Sequence, residues 1–152
     1  MAQNFNTNTH NKEDWLTPPY IIKALGEFDL DPCAPINRPW DTAKHHYTKL
    51  DNGLAKPWFG RVWCNPPYGR KTFDGNRIAL IFARTETKGF HSEIWGKADG
   101  IFFFKGRLRF YTVGGEQGGA ANAPSCLVAY GAGNAERLCK ADLPGKFVQL
   151  RL

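Results

Sequence analysis

Two short stretches carry residue types suited to chemistry: Asn65-Pro66-Pro67-Tyr68 and Asp31-Pro32-Cys33-Ala34. Each follows a short apolar run, Val62-Trp63-Cys64 in one case and the run beginning at Phe28 in the other. Proline has no backbone N–H and a fixed φ, so both runs must stop there as strands. In open α/β sheets, ligands bind just beyond the carboxyl ends of the strands. The pattern therefore offers an amide and a carboxylate at one sheet edge. The side-chain oxygen of Asn65 accepts two hydrogen bonds, and Pro66 adds a carbonyl without a competing donor. Two such acceptors suit an NH₂ group, and Tyr68 offers a flat face on which an aromatic ring can stack. A planar base with an exocyclic amine has those features. Accepting both amine hydrogens moves nitrogen electron density out of the ring and leaves the lone pair nucleophilic. The matching electrophile is a methyl sulfonium. The simpler reading stays open beside this one, because Asn and Pro also favour turns and Asp31 can merely end a strand.

The elements that must hold these residues follow from apolar periodicity and breakers. Residues 18–26 read as a short helix with proline near its start, Ile22 and Leu25 at helical spacing and glycine as the stop. Strands are expected at 28–34 (halting at Pro32), 61–65, 77–83, 100–106 and 125–131, with a helix at 87–95. The run 77–83, RIALIFA, is continuous and reads as buried on both faces. Residues 107–113 either continue the preceding strand or begin a fifth, and KFVQLRL near the end reads as an edge strand. Residues 35–60 read as loop with short helix. GGEQGGAANAP at 114–124 reads as a loop without packing residues. The Asn/Thr-rich residues 1–12 read as a flexible arm before a single domain at 13–152. Strands alternating with helical patterns indicate an α/β sheet domain.

Composition bounds the function classes. The chain has 152 residues, 42% hydrophobic and 22% charged, which indicates one globular domain. Its net charge of +6 is compatible with a polyanionic partner. None of the four cysteines forms a C-x-x-C pair, so neither a zinc ribbon nor a redox motif is expected, and no bound metal is expected either. No leader is recognisable, and reduced thiols in a cytoplasm are the expectation. No apolar run approaches the length of a membrane span. The adjacent His45 and His46 do not suit two ligands on one helix face and read as surface or loop residues.

A longer ordered set carries a resemblance. Asp14-Trp15-Leu16-Thr17-Pro18-Pro19-Tyr20 is followed by FDLDPCA, Asp51-Asn52-Gly53-Leu54 with Pro57-Trp58, and RVWCNPPYG. Then come Ala83-Arg84-Thr85-Glu86-Thr87, Lys105-Gly106-Arg107-Leu108-Arg109-Phe110 and APSCLVAYG. This set, over roughly residues 13 to 131, resembles the phage DNA N-6-adenine methyltransferase (Dam-like) family. Those are S-adenosylmethionine-dependent amino methyltransferases with an Asn-Pro-Pro-Tyr motif. The resemblance implies a Rossmann-like α/β methyltransferase sheet and transfer of a methyl group to the exocyclic amine of adenine in double-stranded DNA. It implies that Asn65, Pro66, Pro67 and Tyr68 are catalytic. Thr17, Pro18, Asp31, Pro32, Cys33, Ala34 and Asp51 would bind the cofactor. Arg70 and Lys71 directly follow the catalytic loop and are placed for DNA, as is the basic face of Arg107 and Arg109. The target adenine would be flipped from the duplex, since its amine cannot meet a methyl donor inside the stack. A phage- or prophage-encoded monomer acting in the bacterial cytoplasm is the expectation.

Two features bear on that reading. Like the family, which usually lacks the glycine-rich cofactor loop in its familiar form, the chain has no G-x-G after FDLD, and only residues 66–76 separate the strand RVWCN from RIALIFA, where the resembled proteins carry a helix. Parallel neighbours usually need a crossover of a dozen or more residues, commonly a helix. These eleven include two prolines and two glycines, so either a short irregular crossover replaces the helix or the helix is lost. Other readings stand beside adenine methylation: the same tetrapeptide chemistry on RNA or on a protein glutamine, a degenerate, non-catalytic DNA-binding copy given the short crossover, and, as the weakest competitor, a zinc-binding module. Asp51-Asn52-Gly53 is also turn chemistry, and the alternation of Arg107 and Arg109 with Leu108 and Phe110 is also that of a half-buried strand.

Overall fold

A computed structural model describes residues 15–65 and 75–151. Helix α1 spans Pro19–Leu25. Proline occupies its first turn, where the missing N–H has no partner to lose. Ile21 and Leu25, four residues apart, form its buried stripe. The stop is Gly26 at φ 85°, whose N–H reaches the Ile22 carbonyl at 3.1 Å. That left-handed backbone favours glycine, and a Cβ there would also displace the Arg137 guanidinium.

Nine strands follow among the described residues: β1 Leu30–Asp31, β2 His45–His46, β3 Val62–Cys64, β4 Arg77–Phe82, β5 Gly100–Phe104, β6 Arg109–Tyr111, β7 Gln117–Ala120, β8 Ser125–Tyr130 and β9 Gly145–Gln149. Seven form one sheet in the order β2-β1-β3-β4-β8-β5-β9. Strands β2, β1, β3 and β4 are mutually parallel. Strand β8 is antiparallel to both β4 and β5, and β9 is antiparallel to β5. The architecture is mixed α/β. Strands β3 and β4 pair with Val62 opposite Arg77, so they are parallel neighbours despite the short stretch between them. Residues 66–74 of that connection lie outside the described residues.

The sheet is covered on both faces, which explains the unbroken apolar run of β4. Ile78, Leu80 and Phe82 join one cluster with Phe28, Trp63, Phe102, Leu127 and the α1 stripe. Ala79 and Ile81 join a second with Cys64, Ile101, Cys126, Val128 and Tyr130. The side chains alternate by the period of two that a strand imposes. Phe90 and Ile94 cover the second face from helix α2, Lys88–Phe90, which runs on as a π-helical turn at His91–Trp95. Thr87 caps α2, its Oγ1 accepting from the Phe90 N–H at 3.2 Å, so part of the polar run 84–87 serves as a helix start.

Helix α3, Ala132–Cys139, adds Ala135 and Leu138 to the first cluster. Arg61, just before β3, clasps this side. Its guanidinium donates to Leu25 O, Glu27 O and Asn134 Oδ1, at 3.0, 2.6 and 2.8 Å, and stacks 4.0 Å from the Phe28 ring. Burial, together with nearby Arg137, lowers its pKa to about 10.

The stretch 107–124 corrects one sequence expectation. Residues 107–113 do not extend β5: β6 pairs with β7 in a separate two-stranded sheet. The Gly/Ala-rich segment is not a loop without packing, for Gln117–Ala120 form β7, and Ala121 and Ala123 are buried in the core. Here small residues are the packing. A Cβ on Gly118 would lie 2.8 Å from the Trp15 ring and 3.0 Å from the Phe110 carbonyl. The histidine pair forms a strand rather than a loop, β2 pairing with β1; His45 is exposed, as expected of a surface residue, and His46 is half-buried.

Candidate active site

Because β1, β3 and β4 are parallel neighbours, their carboxyl ends share one edge of the sheet. Asp31, at the end of β1, is 4% exposed. Its Oδ1 accepts from the Cys33 N–H at 3.0 Å, and its Oδ2 accepts from the Thr42 hydroxyl. The first contact closes a tight turn over Pro32, as aspartate side chains do two residues on. Burial pushes the Asp31 carboxyl up to about 6, against the opposing pull of Thr42, the Cys33 N–H and Arg38. Thr42 in turn donates its backbone N–H to His46 Nε2 at 3.3 Å, and burial first, then Arg38, holds His46 below the usual imidazole range. The turn is braced from outside. Tyr47 N donates to Asp31 O at 2.9 Å, and Ala34 N donates to Tyr47 O at 3.0 Å. Gly53 packs against Pro32 so closely that a Cβ would sit 2.4 Å from the Pro32 carbonyl.

Asn65 follows β3 directly and is half-buried. Its Nδ2 lies 3.4 Å from Thr17 Oγ1. Thr17 is 3% exposed, and its backbone is set by its neighbours. Leu16 and Tyr111 exchange two backbone hydrogen bonds, at 2.7 and 3.0 Å, which fasten this segment to β6. Pro18, also buried, restricts Thr17 to extended conformations. The Cys33 and Cys64 sulfurs, 3.9 Å apart, link the two strand ends directly.

Thr17, Pro18, Asp31, Pro32, Cys33, Ala34 and Asn65, widely spaced in the chain, are thus joined through these contacts along one edge. Asp51 has a different setting. Its Oδ2 accepts from Thr48 N and Oγ1 at 2.8 and 3.3 Å, closing the turn that precedes the 3₁₀ turn Gly53–Ala55, and Lys56 Nζ is 3.9 Å from its Oδ1. The Thr48 N–H bond, and Lys56 beside it, hold its carboxyl below the usual range. Arg107 donates to Ala121 O at 3.2 Å, tying the base of the β6–β7 hairpin, while Arg109 is exposed on β6. Pro66, Pro67, Tyr68, Arg70 and Lys71 lie outside the described residues.

Thr42 and Tyr111 do site work that sequence reasoning missed. Thr42 reaches Asp31 from an irregular stretch with no period to mark it. Tyr111 acts through its backbone, which leaves no side-chain signature. Among the described residues, no three His, Cys, Asp or Glu side chains gather as a metal site, and no helix is long and apolar enough to cross a membrane.

A protein-family model described as DNA N-6-adenine-methyltransferase (Dam) matches residues 4–136. No curated protein and no solved structure matches the chain.

Proposed function

The chain belongs to the DNA N-6-adenine-methyltransferase (Dam) family, and from that premise we propose that it methylates the exocyclic amine of adenine in double-stranded DNA. The observation that carries this reading is the meeting at one sheet edge of Asn65, which follows β3 and touches Thr17, with the Asp31–Ala34 turn at the end of β1, the two strand ends being linked by the Cys33 and Cys64 sulfurs 3.9 Å apart. An amide able to accept from an amine then stands next to a braced loop at the sheet edge where α/β proteins bind ligands. The fold is read as a Rossmann-like methyltransferase sheet, and the chain as a phage- or prophage-encoded monomer of the bacterial cytoplasm.

S-adenosylmethionine, when bound, supplies an electrophilic methyl group on a sulfonium. The residues present fit such a donor. The Pro32–Ala34 turn offers backbone groups held in place by Asp31 and Tyr47. The Asp51 carboxylate, held in its ionised form, suits ribose hydroxyls or an adenine amine. Asp31 has both oxygens engaged by Cys33 N and Thr42, so it serves by shaping that turn. Asn65 and the Pro66 carbonyl accept the two hydrogens of the target amine, Pro67 belongs to the same catalytic motif, and Tyr68 stacks on the flipped base. The rate advantage comes from positioning and preorganised acceptors. Arg70, Lys71, Arg107 and Arg109 meet phosphates, which makes DNA binding salt-dependent.

The test is transfer of labelled methyl from S-adenosylmethionine to four acceptors in parallel: duplex DNA, single-stranded DNA, RNA and a glutamine-containing peptide. Label in duplex DNA that falls steeply with salt supports the proposal. Label in RNA or peptide alone moves the chemistry to another substrate. Salt-dependent DNA binding with no label in any acceptor would identify a non-catalytic copy.

A further inference from the structure

The geometry points to a redox modification site at the sheet edge: Cys33 and Cys64 join as a disulfide when the protein meets hydrogen peroxide, and the bond stops methyl transfer. Formation of the bond stands on the placement of the two thiols; its effect on catalysis rests on the methyl-transfer reading. Strands β1 and β3 are parallel neighbours with Leu30 opposite Val62. Cys33 lies three residues past Leu30 and Cys64 two past Val62, which brings both to one level at the carboxyl ends. Neighbouring strands lie about 4.8 Å apart, within the span of about 4.4–6.8 Å between Cα atoms that a disulfide bridges. Both side chains turn to the same face. Cys64 belongs to the cluster of Ala79, Cys126 and Tyr130, and Cys33 packs against it. In a disulfide the sulfurs stand about 2.05 Å apart; here they are at 3.9 Å, and rotation about χ1 of the two side chains supplies the approach.

Exposure divides the roles. Cys33 is half-exposed and Cys64 is fully buried, so peroxide reaches Cys33 first. The Cys33 thiolate attacks one peroxide oxygen. The O–O bond breaks, Cys33 becomes a sulfenic acid, and the hydroxide released takes a proton to give water. The Cys64 sulfur then attacks the Cys33 sulfur. The S–S bond forms, the S–O bond breaks, and the hydroxyl leaves as a second water with the Cys64 proton. Two thiols have lost two electrons and two protons, and one peroxide has become two waters. The bond has consequences because of what each cysteine adjoins. Cys33 sits in the turn fixed by its own N–H on Asp31 Oδ1 at 3.0 Å and by Ala34 N on Tyr47 O at 3.0 Å. Asn65 directly follows Cys64. The disulfide therefore draws the half-exposed Cys33 sulfur inward and ties the proposed cofactor turn to the strand that carries the proposed catalytic amide. Disulfides of this transient, sensing kind are those that reducing compartments tolerate.

The test uses the full chain carrying Cys139→Ser, which removes the exposed thiol of α3 and with it cross-linking between molecules through that residue. The protein is treated with hydrogen peroxide, alkylated, digested and mapped by mass spectrometry, and methyl transfer to duplex DNA is measured before and after. A peptide pair joined through Cys33 and Cys64 is expected, and dithiothreitol should separate it. Oxidation should lower methyl transfer by about a hundredfold, the scale of a 1 Å misplacement at an active site, and dithiothreitol should restore it. With Cys64→Ala added, oxidation should halt at a Cys33 sulfenic acid that dimedone traps. Folded, peroxide-treated protein without the linked pair would overturn the inference, whether Cys33 stays a thiol or goes on to the sulfinic acid. So would linked protein that transfers methyl as fast as the reduced form. If the reduced protein transfers no methyl yet the linked pair forms, the proposed function falls while the modification site stands.

Discussion

Asp31 carries a stability effect whose sign runs opposite to that of an ordinary surface carboxylate. Its carboxyl is buried at the end of β1, and burial raises its pKa from 3.8 to about 6. The fold therefore favours the protonated form. That contribution is fully present below pH 4 and is lost as the pH rises toward 6. The difference between the two values corresponds to about 3 kcal/mol. Charged and titratable neighbours also bear on the site, namely Arg38, Asp41 and His46, so the quantity to measure is a difference between two proteins. Asp31→Asn cannot ionise, keeps an oxygen for the Cys33 N–H, and turns an amide toward Thr42, whose hydroxyl can accept. Urea unfolding of wild type and Asp31→Asn at intervals from pH 4 to 7.5 isolates the effect. The variant should gain about 3 kcal/mol relative to wild type between pH 4 and 6, then hold a constant difference. A flat difference across that range would refute the reasoning. So would wild type gaining on the variant as pH rises, since Asp31 would then be ionised and stabilised by its two donors.

Other predictions rest on packing and exposure. Arg61→Ala removes the guanidinium that joins α1, β3 and α3, and should destabilise by about 2–4 kcal/mol in urea unfolding. Gly118→Val drives a side chain into the Trp15 ring and the Phe110 carbonyl; a loss of about 1–3 kcal/mol with altered tryptophan fluorescence is expected. Thiol labelling of native protein should reach exposed Cys139 first and half-exposed Cys33 next. Cys126 is buried and its thiol is pushed up by burial, so it should label only on unfolding; early labelling of Cys126 would contradict the packing of β8.

The legible part of the sequence was the part governed by local rules. Proline after Asp31 ended β1, the continuous run at 77–83 marked a strand buried on both faces, and KFVQLRL contained the edge strand β9. Each signal lies within a few residues of its effect. The hairpin strand β7 was missed because its glycines pack by absence: Gly118 makes room for Trp15 about a hundred residues earlier. Helix α3 went unread because it begins after Gly131 without a capping side chain and buries Asn134, which bonds Asn76 Oδ1 at 2.6 Å and Tyr130 O at 2.9 Å. Strand β2 is two histidines long, too short for any period to show. At the site, the motifs named Asp31 and Asn65, but their partners Thr42 and Thr17 are tertiary facts. The insertion of antiparallel β8 between β4 and β5 is likewise a matter of pairing, which periodicity does not encode.

The most direct test identifies the methylated atom. Duplex DNA is incubated with the purified protein and S-adenosylmethionine carrying a heavy-isotope methyl group, digested to nucleosides and analysed by mass spectrometry, with Asn65→Ala in parallel. The account predicts N6-methyldeoxyadenosine carrying the heavy methyl group in the wild-type sample and its near-complete loss in the variant. Label on another base, label undiminished in Asn65→Ala, or no label from a folded protein that binds duplex DNA would contradict it.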